Sequence, residues 1–301
     1  MTENTPLHPN GWLLINKPSG TRSTKAVSLI KRRLPRKYKV GHAGTLDNLA
    51  CGLLPIAIGY ATKTVDFFMG KDKTYEFTVQ WGSETETDDL GGEVTHTSNF
   101  IPSLEEIQTV ISGFVGTIQQ TPPLYSAIKI NGRRASDMAR KNKDVELMPR
   151  EINIYSLEIL SHQKTYTTFK VLCSKGTYVR SLARDIGRKL GCFGHVTYLC
   201  RTKIGEFELK NAFLLEKIEK IGHITEELGL LPVRAVLDDI PAVSCVDGQV
   251  DFIRNGREIS IDLNLPNESI VLLLDSKGKE VALGLISKNK IKPSKVFNTE
   301  H

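Results

Sequence analysis

The chain has 301 residues, 40% of them hydrophobic and 25% charged, with a formal net charge of +6. That composition excludes a disordered or fibrous chain and suits a soluble protein with one extended core, or a core and a small appendage. No stretch approaches the roughly 20 apolar residues of a membrane span, and "MTENTPLHPNGW" lacks the basic-then-apolar order of a secretory leader, so the expected compartment is the cytoplasm.

Taken in chain order, "GWLLINKPSG" predicts a strand from Gly11 that stops in a turn at Lys17–Gly20. Ser23 or Thr24 then caps a helix whose apolar positions Val27, Ile30 and Leu34 recur at helical spacing, and Pro35 ends it. "GHAGTLDNLACGLLP" (Gly41–Pro55) places His42 and Asp47 among Gly41, Gly44 and Gly52, which implies a tightly held backbone. "TYEFTVQWG" alternates Tyr75, Phe77, Val79 and Trp81 on one face of a strand. "TETDDLGGEV" is an acidic loop with a Gly-Gly turn. "SLEEIQTVISGF" is a helix with a Ser103–Glu106 capping box and with Leu104, Ile107, Ile111 and Phe114 facing inward.

From Lys129 to Lys143 the chain holds an Asn131–Gly132 turn and a short basic helix of low apolar content, which predicts an excursion from the core. "REINIYSLEIL" and "TTFKVLCSKG" are paired strands, and Val179, Leu182, Ile186 and Leu190 mark a helix ended by Gly191. From about Ser244 a hairpin, "SIVLLLDSKGKEVALGLI", turns at Asp275–Lys279, and "IKPSKVF" adds a short strand. Strands interspersed with helices and paired as antiparallel neighbours imply an α+β core over residues 1–243, followed by a small β unit over 244–301.

Five cysteines, an odd count with no C-x-x-C pair, argue against a disulfide framework. A zinc set of Cys192, His195 and Cys200 matches no standard ligand spacing, so no metal is expected and the thiols read as small buried hydrophobes. Three basic blocks carry the charge: Lys31–Lys39 with six basic residues, Lys129–Lys143 with six, and Lys175–Lys189 with five. They fit a phosphate backbone, and equally three solvated faces.

A carboxylate at Asp47, in a glycine-rich and otherwise apolar segment, is costly to bury ionised without a cation. Arg180 is a candidate partner, at a strand-to-helix corner whose geometry is fixed, where an Arg fork would keep the carboxylate ionised and aimed. The competing reading has Asp47 capping a helix from Asn48 or closing a turn.

The segment "GHAGTLDNLACGLLPIAIGYATK" resembles the catalytic motif of the TruB family of tRNA pseudouridine synthases, close to G-H-x-G-x-L-D-x-x-A-x-G-x-L-P, with every fixed position matched. The resemblance continues in order through "GWLLINKPSG", "KTYEFTVQWGSETETDD", "TPPLYSAIKINGRRA", "CSKGTYVRSLARDIG" and "LCRTKIGEF", roughly residues 11–240. It implies the pseudouridine synthase fold, with a mixed, largely antiparallel central sheet flanked by helices, and loosely a PUA-like domain at the C-terminus. It implies isomerisation of uridine 55 in the TΨC loop, after base flipping, by N1–C1′ cleavage, base rotation and C5–C1′ bonding. No cofactor is implied.

By the same resemblance Asp47 is the catalytic carboxylate, Arg180 its partner, and Tyr75 the active-site tyrosine that stacks on the base and helps remove the C5 proton. Packing on the strand's apolar face would also explain Tyr75. Leu199 packs near the base, and His42 fills the space the flipped base leaves. Lys129, Arg133 and Arg140 contact phosphates from an RNA-gripping insertion at about 124–150, and Lys17 supports the carboxylate loop. The implied partner is the T-arm of tRNA, bound by a monomer without an obligatory protein partner. Two departures from the family pattern are Arg22-Ser23 in place of Thr-Ser, and Ala135-Ser136 in place of Ala-Tyr. Two rival readings are a non-catalytic RNA-binding or tRNA-folding protein on the same scaffold and a guide-RNA-dependent synthase. The intact Asp47 and Arg180 speak against the first and the short tail against the second.

Overall fold

Two faces of one sheet organise the chain. The computed structural model describes residues 9–35, 38–130, 132–141, 145–220, 229–260 and 266–297. Ten strands form the central sheet, in the order Phe213–Leu214, Gly11–Lys17, Cys51–Ile58, Gly194–Ile204, Lys73–Trp81, Tyr166–Cys173, Arg150–Gln163 and Gly116–Gln120. Val40–His42 and Phe207–Glu208 pair off this path. Within the path only two neighbouring pairs are parallel, Gly11–Lys17 with Phe213–Leu214 and Cys51–Ile58 with Gly194–Ile204. The sheet is thus mixed and largely antiparallel, and the fold is α+β as the sequence implies.

The run "WLLI" is apolar throughout because its strand is buried on both sides. Leu13 and Ile15 join a core with Ile30, Phe77, Ile107 and Leu182, under the helices Ser23–Lys31, Leu104–Ile111 and Val179–Leu190. Trp12 and Leu14 join a second core with Leu53, Phe68, Leu283 and Phe297. The alternation of Phe77, Val79 and Trp81 holds, and all three are buried. The capping box at Ser103 and Glu106 is formed, and Gly191 ends its helix in the left-handed region at φ +73°.

Several expectations need correcting. Leu104 is exposed, because the first helical turn lies beyond the edge of the core. Ser23 caps no helix. Its hydroxyl instead donates to the Leu46 carbonyl and accepts from the Leu46 N–H, each at 3.0 Å, a closer use for a buried hydroxyl than a solvated helix end. The expected Asn131–Gly132 turn has its first residue outside the described residues. The excursion itself is a short hairpin of Lys129–Ile130 with Arg133–Arg134, followed by the Ala135–Ala139 helix.

The C-terminal unit is more than strands. Its five-stranded sheet contains the expected hairpin and the Lys290–Val296 strand, and the helix Asp247–Arg254 packs with it. Asp275 accepts the Lys277 and Lys279 N–H groups at the turn, at 2.9 and 2.8 Å. The sheet begins at Ala242, so the division expected at 243/244 falls inside its first strand. It docks on the second core: Phe297 lies 5.3 Å from the Tyr60 ring, and Lys295 pairs with Asp66 at 3.1 Å.

Of the three glycines in the Asp47 segment, two are required by the backbone. Gly44 and Gly52 adopt φ of +99° and +104°, and a Cβ at Gly52 would lie 2.4 Å from the Arg201 carbonyl oxygen. Gly41 has open space around it and no such dihedral. Gly52→Ala is therefore expected to lower unfolding free energy by about 3 kcal/mol, and Gly41→Ala by less than about 0.5. Denaturant melts of both variants check the pair.

Candidate active site

The residues from Ala43 to Ala50 form a loop between two strands that pair with each other, Val40–His42 and Cys51–Ile58. The loop is fastened along its length. Ser23 holds Leu46, the Gly20 N–H donates to the Asn48 carbonyl at 2.8 Å, and the Ser19 hydroxyl donates to the Leu49 carbonyl at 2.7 Å. From below, Arg201 donates to the carbonyls of Gly44 and Leu53 at 2.9 and 2.8 Å. No helix starts at Asn48, so the reading of Asp47 as a helix cap is set aside.

Arg180 enters from the first turn of the Val179–Leu190 helix. The Gln120 amide brackets the residue before that helix, accepting the Tyr178 N–H at 2.8 Å and donating to its carbonyl at 3.1 Å. The Arg180 Nε donates to Asp47 Oδ2 at 2.8 Å, and its other nitrogens donate to the carbonyls of Thr87 and Tyr125 at 2.8 and 3.2 Å. The Arg180 side chain is 4% exposed and that of Asp47 is 39% exposed. The pair therefore has a buried cation aiming a carboxylate that still reaches solvent, and a charge-assisted bond of this kind is short and directional.

Asp47 does not have Arg180 to itself. Asp89 Oδ2 lies 3.7 Å from the same nitrogen, while its other oxygen accepts from the Thr87 hydroxyl and the Gly91 N–H. The same helix carries Arg184 and Arg188 one and two turns on, paired with Asp88 at 3.0 Å and with Glu84 at 2.5 Å. The acidic loop is thus bolted to the helix by three arginines. Of the Lys175–Lys189 block, Arg180 and Arg184 are thus buried in ion pairs, whereas Arg188, although paired, and Lys175 and Lys189 stay exposed. Burial pushes Asp88 up to about 6, against the pull of Arg184.

A cleft of about 670 Å³ opens beside this pair, a size typical of small-molecule sites. Asp47, Tyr75, Arg180 and Leu199 line it, together with Lys73 and Arg201. Four of the nine residues named from sequence are thereby brought together. His42 is half-buried in the strand before the loop and Lys17 is wholly buried behind it, and neither lines the cleft. Lys129, Arg133 and Arg140 stand exposed on the excursion, whose root, Ser126 and Ala127, forms part of the wall. Arg140 lies 3.7 Å from Asp137.

Lys73, Asp89 and Arg201 escaped the sequence reading. A period of two would have found Lys73 and Arg201, two positions before Tyr75 and two after Leu199 on their strands. Arg201 sets the local electrostatics. Burial first, and then the Arg201 charge, lower Lys73 to about 8 and hold His42 below its ordinary value. Burial raises Tyr75 above the ordinary phenol value, against the pull of the Arg201 charge. Tyr75 is thus a protonated phenol, a stacking surface and donor rather than a resting base. Among the described residues Cys192, His195 and Cys200 do not come together as a group that could hold a metal ion.

Residues 31–179 match the family model described as TruB family pseudouridylate synthase, N-terminal domain, and residues 180–240 match the tRNA pseudouridylate synthase B C-terminal domain. A relative from Ehrlichia ruminantium (strain Gardel), named tRNA pseudouridine synthase B, is 44% identical over 295 residues, covering 96% of this chain and 99% of its own. The chain belongs to the TruB family. Other TruB relatives with that name include proteins of Nitrobacter winogradskyi and Brucella ovis, each 42% identical over 96% of this chain and over 83% and 95% of their own. A chain of a solved Cbf5–Nop10–Gar1 complex matches the TruB fold here with a TM-score of 0.70 and 26% identity, over 96% of this chain and 85% of that one.

Behind the TruB loop, the Lys17 ammonium donates to the carbonyls of Pro18 and Thr21 at 3.0 and 2.6 Å. Burial lowers its pKa from 10.5 to about 8. Between those values the unfolded chain holds the extra proton, so stability rises with pH in that window. From pH 8 to 9, Lys17→Met is expected to gain about 1 kcal/mol less unfolding free energy than the wild type, as read by denaturant titration at each pH.

Proposed function

We propose that this chain is a tRNA pseudouridine synthase that isomerises uridine 55 of the TΨC arm. The observation that carries this reading is the Asp47–Arg180 pair at the mouth of a cleft that also holds Tyr75 and Leu199. In the reaction the N1–C1′ bond breaks, the uracil turns, C5 bonds to C1′, the C5 proton leaves and N1 takes up a proton. Atoms balance without a redox partner.

Each residue has a part in this reading. Asp47 starts cleavage, either by attacking C1′ or by taking a ribose proton, and both routes use the same aimed carboxylate. Arg180 fixes its direction. Tyr75 stacks on the base as a neutral ring, and the Leu199 side chain closes the apolar side. Extruding the uridine costs a few kcal/mol, which backbone contacts offset. His42, held neutral, fills the space left behind. Lys129, Arg133 and Arg140 grip phosphates from the 124–150 insertion, reading the shape of the arm rather than its sequence. The 244–301 unit touches the acceptor end, and Lys17 works behind the carboxylate loop. The protein acts in the cytoplasm as a monomer, without an obligatory partner. Among the described residues no helix is long and apolar enough to cross a membrane.

Purified protein is expected to release tritium from C5-labelled uridine in an unguided T-arm stem-loop. No release would overturn the reading, and release without a guide excludes guide dependence. Asp47→Asn is expected to abolish release while leaving tRNA affinity within about tenfold, because the carboxamide keeps the shape and loses the charge. Binding lost together with turnover would make Asp47 a folding residue. Arg140→Ala is expected to weaken binding and reduce the slope of log affinity against log salt by about one; an unchanged slope removes Arg140 from the RNA track.

A further inference from the structure

Two thiols meet on the side of the central sheet away from the cleft. Cys51 and Cys200 are register partners on the parallel strands Cys51–Ile58 and Gly194–Ile204. Leu199 and Arg201 line the cleft, so Cys200, between them, projects from the other face. Neighbouring strands lie about 4.8 Å apart, within the Cα separations of about 4.4–6.8 Å that a disulfide spans. Both cysteines occupy unfixed positions of the motifs quoted above.

The surroundings single out Cys51. It is half-buried, while Cys173, Cys192, Cys200 and Cys245 are buried. Cys173, Cys192 and Cys245 each donate to a backbone carbonyl. The Tyr198 hydroxyl lies 3.9 Å from the Cys51 sulfur. The Cys200 thiol, that hydroxyl and the Lys17 ammonium together favour the Cys51 thiolate and hold it below the ordinary thiol value, against the effect of burial.

We propose that Cys51 is an oxidative modification site and that Cys200 is its resolving thiol, with a peroxide as the oxidant. The Cys51 thiolate attacks one peroxide oxygen, the O–O bond breaks, and the departing hydroxide takes a proton to become water. The resulting sulfenic acid is attacked by the Cys200 sulfur. The S–S bond forms, the S–O bond breaks, and a second water leaves with the Cys200 proton. One hydrogen peroxide and two thiols give one disulfide and two waters. The next residues along both strands, Gly52 and Arg201, have no slack between them, and Arg201 holds the Asp47 loop at Gly44. Closing the disulfide therefore reaches the cleft, a consequence that rests on the proposed reaction.

The test uses full-length protein treated with hydrogen peroxide, capped with N-ethylmaleimide and mapped by mass spectrometry. Without peroxide, Cys51 is expected to alkylate at least about tenfold faster than any other cysteine. With peroxide, a Cys51–Cys200 linked peptide is expected that dithiothreitol reverses. Cys200→Ser is expected to trap Cys51 as a sulfenic acid that dimedone labels. Cys51 alkylating no faster than the buried thiols, or peroxide giving no linked peptide, overturns the assignment whatever the activity of the protein. Tritium release is expected to fall at least about fivefold in the linked form and to be insensitive to peroxide in Cys51→Ser. A link that forms with turnover unchanged overturns the coupling to the cleft.

Discussion

One guanidinium gathers the site. Arg180 receives a carboxylate from the Asp47 loop, a carboxylate and a carbonyl from the acidic loop, and a carbonyl from Tyr125 at the start of the insertion. These segments are remote in sequence. A buried cation with unfilled donors is expensive, so the fold must deliver all of them together. Arg201 plays a comparable part beneath the loop, but it is satisfied by backbone carbonyls rather than by acids. The loop is suspended between a fork that aims its side chain and a fork that anchors its main chain.

This arrangement changes how the charge of the chain is to be understood. The three basic blocks look alike in composition, yet they differ in use. The Val179–Leu190 helix spends its arginines on Asp47, Asp88, Asp89 and Glu84. On the excursion, by contrast, Lys129, Arg133 and Arg140 are exposed, and Arg140 forms a surface pair with Asp137. A surface pair of that sort contributes little and yields readily to a polyanion. The excursion therefore presents exposed positive charge beside the cleft wall formed by Ser126 and Ala127, and Lys31, Arg32 and Lys39 of the first block are exposed as well.

Much of this was legible in the sequence where the signal was local. The capping box, the Gly191 stop, the alternating Lys73–Trp81 strand and the C-terminal hairpin each announce themselves within a dozen residues. The Asp47–Arg180 pair, 133 positions apart, was inferred from the expense of burying a lone carboxylate and was strengthened by the family motifs. What escaped was set by tertiary competition. Ser23 looked like a cap because nothing local showed that Leu46 would claim its hydroxyl. Leu104 fits a helical stripe that the edge of the core does not reach. Arg201 was hidden because Gly44 and Gly52, the two residues shaped around it, lie far upstream.

The second core has a practical meaning for anyone wishing to shorten this protein. Leu272, Leu283 and Phe297 cover the underside of the same sheet whose upper face borders the Asp47 cleft, sharing a cluster with Trp12, Leu14 and Phe68. Cutting the chain before Ala242 would strip that cover and leave a greasy, aromatic floor facing water. The C-terminal unit is accordingly part of the hull, whatever else it touches, and a trimmed catalytic fragment would be sticky before it was small.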